Sequence, residues 1–466
     1  MNAVRAACIL AVYLAFLTKT YYWDGVLFSL NIESAAHGQL PVVDLFHPNH
    51  LIYTAFGYGI YSAMVRIAPG VRAITVLQVS NVLLSVLAGY ALFLLARRIT
   101  NSDRVAFFSW LLFAAGATWW KFSTDADSYI VSVLLLLLAT LSLLNERPRI
   151  VLAALCHAAA MLFHELAIFA YVPVLTWIWL DARMRMAAKL STALTYCAGT
   201  GIIVGFVYWL CYQQNAHGAS PTLLSWVTSY SADKGFTHSF SDVFVHYLTS
   251  YLKLFAGGKL MLIAQFFSVW VCLALVLCAL FVICGIRRLA ASLDHTEVDR
   301  RALIFFWVWL GAYAVFLGLW DPGSAFHKLF LWPAIVLLIG VYGRARIRSL
   351  TFFAAALAAW NFAAYIYPHA HASADPVLVL AQKLDRELPK NAVVYYRVLD
   401  PDDWYLQYFA PGRSWRQLPI AGGNGGPVCL DTTALEAFDG AIEPNMKWDL
   451  VNASHNVRLE CLKNAP

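Results

Sequence analysis

The stretch "TKTYYWDGVLFSLNIE", Thr18 to Glu33, decides how this chain is read. A hydrophobic N-terminal segment ends here, three aromatic residues follow, and Asp24 precedes a half-apolar run. A carboxylate at such a boundary is costly unless it is paired, wet or used. Beyond Asp24, the positions Val26, Leu27, Leu30, Ile32 and Ala35 make an imperfect amphipathic pattern. That pattern predicts a helix lying in the interface with the aspartate fixed beside it. The bland alternative is that Asp24 only caps the helix, a common place for aspartate.

Composition makes this a membrane boundary. Of 466 residues, 61% are hydrophobic and 13% charged, and the mean hydropathy is +0.63. A soluble domain carries about 25% charged residues, so the composition excludes that class. The formal charge of +6 matters less than where the basic residues fall. Of nine cysteines, Cys8, Cys156, Cys197, Cys211, Cys272, Cys278 and Cys284 lie in or beside apolar segments, with no zinc-type spacing. Cys429 and Cys461 lie in a polar region and can pair if it faces an oxidising compartment. The segment Ala6 to Leu17 lacks a small-x-small cleavage site before Tyr21 and reads as a retained anchor.

Apolar runs occur at about 3–20, 72–96, 105–121, 128–144, 150–180, 190–211, 260–284, 302–319, 328–343 and 350–367. A shorter run lies at 51–68. The 150–180 run is too long for one span and is interrupted at His164–Glu165 and at Pro173, which predicts two helices. Five basic clusters test the topology: Arg97/Arg98/Arg104, Arg147/Arg149, Arg183/Arg185/Lys189, Arg287/Arg288/Arg300/Arg301 and Arg344/Arg346/Arg348. All fall on one side if 51–68 is juxtamembrane and 150–180 crosses twice. The expectation is an all-α polytopic membrane protein of about 11 transmembrane helices, N-terminus inside and C-terminus outside. The connections 21–71, 121–127, 211–259 and 320–327 then face outside with the tail, so chemistry belongs on that face.

After Tyr367 the composition changes. "DPVLVLAQKLDREL", Asp375 to Leu388, predicts a helix, "NAVVYYRVL" a strand and "GGNGG" a loop. The division is a membrane domain over 1–367 and a small external α/β domain over 368–466.

Several ionisable residues gather on the inferred external side. The first loop holds Asp24, Glu33, His37, Asp44, His47 and His50. In "HPNHLIY", Pro48 biases His47 towards an extended shape and presents His47, Asn49 and His50 before an apolar segment. The bland reading there is an interfacial turn with wet imidazoles. "WWKFSTDADSY" places Asp125 and Asp127 in the second loop. Such a pair can share a divalent cation or receive hydroxyl protons, although a lone DxD also suits a solvated loop with a helix cap. His164 and Glu165 interrupt an apolar stretch and need partners. "LWDPGSAFHKLFLWP" sets Asp321, His327 and Lys328 beside an apolar helix, where the lysine suits an anionic headgroup or snorkels.

The order of these features resembles the GT-C superfamily of membrane glycosyltransferases, particularly the branch with protein O-mannosyltransferases and the lipid A aminoarabinose transferase. The resemblance is best over residues 1–210: one helix, a loop opening on "YYWDG", the "HPNHLIY" turn, "ARRITNSDR" and "TDADSY". It implies juxtamembrane helices in the first external loop and Asp24 as the catalytic base. It also implies Asp125 or Asp127 in the active site, with Asp44, His47, His50, His164, Glu165, His327 and Lys328 as candidates for binding substrate. The activity implied is inverting transfer of a hexosyl or pentosyl group from a polyprenyl-phosphate donor to a lipid, glycan or protein hydroxyl. The place implied is the periplasmic face of a bacterial inner membrane. Lys328, His327 or a metal at Asp125 and Asp127, magnesium or manganese, would steady the leaving phosphate. Metal dependence varies within the superfamily. The main alternative is a transporter or flippase of lipid or sugar, which would place its charges near the midplane of broken helices. A polysaccharide polymerase or ligase would need basic residues in a large mid-chain loop, and 211–259 has three lysines and no arginine. Nucleic acid is not an expected partner.

Overall fold

The computed structural model describes residues 3–145, 147–214, 222–229, 240–258, 266–290, 299–387, 393–396, 402–412, 414–417, 428–430 and 459–461. The first ten α-helices are α1 (Ala3–Ala15), α2 (Trp23–Ala36), α3 (Tyr53–Ile67), α4 (Ala73–Thr100), α5 (Asp103–Ala115), α6 (Ala117–Ser123), α7 (Tyr129–Leu143), α8 (Ile150–Phe163), α9 (Tyr171–Trp179) and α10 (Met186–Gln214). Further helices include Phe240–Phe255, Val269–Ala290, Arg300–Trp320, Trp332–Tyr342 and Ile347–Asn361. Among the described residues, four helices are long and apolar enough to cross a bilayer: α4, α10, Arg300–Trp320 and Ile347–His369. The α5–α6 pair, bent by 69°, makes a fifth if it is one span. The other apolar helices are 10–17 residues long, shorter than the roughly 20 residues of a full span.

Local chemistry explains the breaks. Between α4 and α5, Asn101 takes the left-handed conformation, φ 47°, and Ser102 caps α5 by accepting the Val105 N–H at 3.4 Å. The α5–α6 bend falls at Gly116, where a Cβ would lie 2.5 Å from the Trp332 ring. Only glycine lets the two segments close on that indole. The 150–180 run divides at His164, as expected, into α8, a 3-10 turn Glu165–Ala170, and α9. Pro173 does not break it. It sits in the first turn of α9, where its missing N–H has no intrahelical partner to lose.

Contacts sort the connections to two ends of the bundle. At one end, Gln78 of α4 donates to Thr18 O and Thr124 O, both at 2.8 Å, and Asn81 donates to Asp125 O at 2.8 Å and Asp127 O at 2.6 Å. Seventeen residues further along α4, about 26 Å of helix, Arg98 donates to Leu141 O at 2.9 Å. Arg98, Arg147, Arg183 and Arg301 line adjoining cavities at this second end. Gly340 packs on Val105 and Ser109 near the start of α5, which brings Arg344 there too. Gly285, just before Arg287, packs on Phe353 near the start of Ile347–Asn361. The basic clusters share one end, as the charge pattern predicts. The 51–68 segment does not reach it: α3 touches Leu77 and Asn81 of α4 and leads into α4 at the first end.

The tail lies at the first end. Helix Asp402–Phe409 buries Tyr405, Leu406 and Tyr408 in one core with Tyr21, Val26, Ile32, Tyr53 and Leu77. Helix Pro376–Glu387 adds Val377, Leu378 and Ala381. Four short strands follow: β1 (Val393–Tyr396), β2 (Ser414–Gln417), β3 (Val428–Leu430) and β4 (Leu459–Cys461). They form one sheet ordered β2-β1-β3-β4, parallel except for β1 against β3. The predicted tail helix and strand are both present, and "GGNGG" lies outside the described residues. In the β3–β4 register, Cys429 stands opposite Glu460 and Cys461 opposite Leu430.

Candidate active site

The N-terminus of α2 is seated on the 124–128 loop. Tyr22, extended at φ −79° and ψ 139°, is the N-cap and makes no side-chain cap bond. Its backbone N–H donates to Asp125 Oδ2 at 2.9 Å. Asp24 follows in the first turn, half-buried, where the helix dipole favours a carboxylate. It is not the N-cap residue. Gly25 lies so close to Ala126 that a Cβ would meet its carbonyl oxygen at 2.7 Å. The two loops thus meet backbone to backbone. Most of α2 is buried between α3, α4 and the tail helix, so its apolar residues pack on protein instead of lying in the interface.

The three carboxylates have different surroundings. Asp125 is fully buried; its Oδ2 lies 2.5 Å from Lys121 Nζ and also accepts from Tyr22, while Oδ1 accepts the Ala126 N–H at 2.8 Å. Asp127 is also fully buried. Its Oδ1 accepts the Ser128 N–H at 2.6 Å, and its Oδ2 is among the buried atoms with no hydrogen-bond partner. Burial, then the negative charges of Asp24 and Asp125, push the Asp127 carboxyl well above the usual carboxylate range. The solvated-loop reading of this DxD does not hold. Three of the roughly four acceptor positions of Asp125 hold an ammonium and two N–H groups, so a cation shared by the pair would rest on the remaining position of Asp125 and on Asp127 Oδ2. Among the described residues, no group of three or more His, Cys, Asp or Glu could hold a metal.

Three imidazoles converge beside the aspartates. Ser128 Oγ and His50 Nδ1 are hydrogen-bonded at 2.9 Å, and His50 meets His164 edge-on with ring centroids 4.7 Å apart. His327 is 6.4 Å from His164, with Tyr129 packed against both. Burial, with His47 and His327 nearby, lowers His50 to about 3 and keeps it neutral. His164 Nδ1 accepts the Leu166 N–H at 3.2 Å, which caps the 3-10 turn. His327 Nδ1 lies 3.0 Å from Asp321 Oδ2. His47 is extended before Pro48, as expected, and exposed, so the wet-imidazole reading fits His47 and fails for His50.

The remaining candidates are more dispersed. Asp44 sits half-buried on a 3-10 turn, Val42–Leu45, packed against α2 and α3. Glu165 lines a groove of about 610 Å3 whose other walls include Met161, Phe169, Val204, Tyr208 and Trp320. Lys328 is fully buried in the 3-10 turn before Trp332, donating to Pro322 O at 3.0 Å and Ser324 O at 2.9 Å. Its Nζ also stands 5.2 Å and 5.4 Å from the Tyr247 and Tyr251 ring centroids. Burial lowers its ammonium to about 7. Two of its protons are spent within its own loop, neither snorkelling nor reaching outward.

Sequence reasoning passed over Lys121, Gln78 and Asn81. Lys121 precedes Asp125 by one helical turn, a spacing that pairs charges on a helix. Gln78 and Asn81 are carboxamides one turn apart in an apolar helix, which signals a buried polar contact. Glu33, Arg72 and Tyr408 form a further brace: Glu33 accepts from Arg72 Nε at 2.9 Å, from the Ala73 N–H at 2.8 Å and from Tyr408 OH at 2.7 Å.

No family model and no curated protein matches the sequence. Solved structures do resemble it. ArnT from Cupriavidus metallidurans bound to undecaprenyl phosphate superposes with a TM-score of 0.61 at 13% identity, covering 89% of this chain and 85% of that one. Its apo form gives 0.60 with the same coverage. The apo oligosaccharyltransferase of Archaeoglobus fulgidus matches at 0.44 and 13% identity, over 91% of this chain and 65% of that one. With ArnT matched over most of both chains, this chain has an ArnT-like fold.

Proposed function

We propose that this protein is a glycosyltransferase that moves a sugar, with inversion, from a polyprenyl-phosphate donor to an acceptor hydroxyl. The observation that carries the proposal is the seating of Asp24 and Gly25 on the 124–128 loop within an ArnT-like fold. The ArnT relative was solved with undecaprenyl phosphate bound, which supports a lipid-phosphate donor here. Asp24 is the half-exposed carboxylate of the three and takes the acceptor proton as general base. The acceptor oxygen bonds to the anomeric carbon as the anomeric C–O bond to phosphate breaks. The bond pair leaves with the lipid phosphate, and the proton stays on Asp24. Asp127, held neutral, can donate a hydrogen bond to the sugar, and Asp125 keeps the loop in place through Lys121. The histidine cluster of His50, His164 and His327 borders the sugar and leaving phosphate, and the Glu165 groove takes the polyprenyl chain.

The same reading counts eleven passes: α1, α4, the α5–α6 pair, α7, α8, α9, α10 and four later helices. By the positive-inside rule the arginine end is cytoplasmic, and the Asp24 end and tail are periplasmic, in a bacterial inner membrane. Reconstitution in liposomes with labelled polyprenyl-phosphate sugars tests the proposal by comparing wild type with Asp24→Asn. Transfer by wild type and its loss in the variant are expected. Retained transfer in the variant removes Asp24 from the base role. Movement of labelled lipid across the bilayer with no new glycosidic bond would replace the reading with a flippase.

A further inference from the structure

The arginine end holds two cavities that the transferase reading does not use. Two adjoining cavities of about 610 and 410 Å3 share a wall of Trp177, Asp181, Arg183 and Arg301. Arg98 lines the larger, and Arg147, Ile150, Ile178 and Met184 line the smaller. Across both, four arginines face two aspartates, Asp181 and Asp299, a net charge of +2.

The hydrogen bonds divide these arginines by role. Arg301 is committed: Nε and Nη2 donate to Trp177 O at 3.0 and 2.6 Å, and Nη1 to Asp181 Oδ2 at 2.9 Å. Its guanidinium lies 3.6 Å over the Trp177 ring. Arg183 spends Nε and Nη2 on Asp181 at 3.0 and 2.9 Å, which leaves Nη1. Those two guanidiniums hold the Asp181 carboxyl far below its usual range, so its charge is fixed and already balanced. Arg98 spends Nη1 on Leu141 O. Arg147 is exposed and has no hydrogen bond or ion pair among the described residues. Unspent N–H forks from Arg98, Arg147 and Arg183 therefore border a rigid, prebuilt wall.

We infer that this double cavity binds the phosphate group of an anionic phospholipid. Guanidinium forks match phosphate oxygens bidentately. The apolar residues of the smaller cavity, Ile150, Ile178 and Met184, suit the start of an acyl chain and have no use for a free phosphate. The site lies about 26 Å along α4 from Asn81, close to the roughly 30 Å of a hydrocarbon core, which sets it at headgroup depth on the arginine side. Basic pockets between helix ends at such a depth take acidic headgroups.

The test uses the full chain in phosphatidylcholine nanodiscs, with and without phosphatidylglycerol, reading retained lipid by native mass spectrometry and the unfolding midpoint. Phosphatidylglycerol is expected to be retained and to raise the midpoint, and inorganic phosphate in solution to do neither. Arg98→Ala/Arg147→Ala should weaken retention about tenfold or more, the loss expected for charge-assisted contacts. Arg147→Ala alone, at a residue the fold does not use, should weaken it in the same direction and guards against a double variant that fails to fold. Equal retention of phosphatidylcholine, or unchanged retention in a folded Arg147→Ala variant, overturns the inference. Stabilisation by inorganic phosphate equal to that by the lipid would overturn the lipid assignment.

Discussion

The two ends of α4 use polar groups in opposite ways. Near its start, Gln78 and Asn81 are buried and bonded to backbone carbonyls at residues 18, 124, 125 and 127, far away in sequence. Near its finish, Arg97 pairs with Asp103 across the next turn of chain, and both side chains are mostly exposed. The first arrangement fixes where distant loops sit relative to one another. The second leaves Arg97 and Arg98 exposed, with Arg98 also tied to Leu141 O. Geometry precise enough for chemistry is therefore expected at the first end, and lipid contact at the second.

Substitutions can break this contrast in graded steps. Asp24→Asn should cut transfer by about 10²–10⁴-fold, as loss of a general base does, with the unfolding midpoint almost unmoved. A large fall in that midpoint would instead make Asp24 structural. Lys121→Met strands the Asp125 carboxylate and should cost about 3–5 kcal/mol, while Lys121→Met/Asp125→Asn, which removes the charge and keeps an acceptor for the Tyr22 and Ala126 N–H groups, should recover part of it. A double variant as unstable as the single one would refute the pairing as the cause. Gly25→Ala must push α2 off Ala126 and should cost about 1–3 kcal/mol, with a matching loss of transfer.

Asp127→Asn separates burial from charge. Because the fold raises the Asp127 pKa, its stabilising share is complete below the unfolded value of 3.8 and is lost as pH rises towards the folded value. Asparagine cannot ionise, so the variant's advantage in midpoint should widen from about pH 4 to about pH 7. A pH-independent difference would mean that Asp127 is already ionised in the fold. Arg97→Ala, at the opposite end, should change stability by no more than about 0.5 kcal/mol, since exposed pairs contribute little. A loss as large as that of Lys121→Met would erase the contrast.

Much of the architecture was legible because the bilayer imposes simple rules on sequence. Charge placement alone put the basic clusters on one side and kept 51–68 from crossing, and His164 marked the break in 150–180. Pro173 misled, because a proline says nothing by itself about whether it opens a helix or interrupts one. The bend at Gly116 was not legible, since hydropathy runs straight through it. At the candidate site, the meeting of Asp24 with the DxD loop followed from the order of motifs. What each carboxylate experiences did not. Asp125 and Asp127 look alike in sequence, yet Lys121 faces one, while the other is buried beside Ser128 and the charges of Asp24 and Asp125. Nor does the sequence show that Pro322 and Ser324 hold two of the three Lys328 protons.

The brace between the tail and α2 bears on when the protein becomes competent. Tyr405 OH donates to Tyr21 O, directly ahead of the turn that carries Asp24, and Tyr408 OH reaches Glu33 further along the same helix. These tyrosines emerge from the ribosome only after every apolar helix has been made. A nascent chain halted before Tyr405 would have made the apolar helices described above while α2 lacked its contacts with the tail helix. Full docking of α2 thus waits on synthesis through Tyr408, and truncation before Tyr405 would remove both tyrosine contacts to that helix.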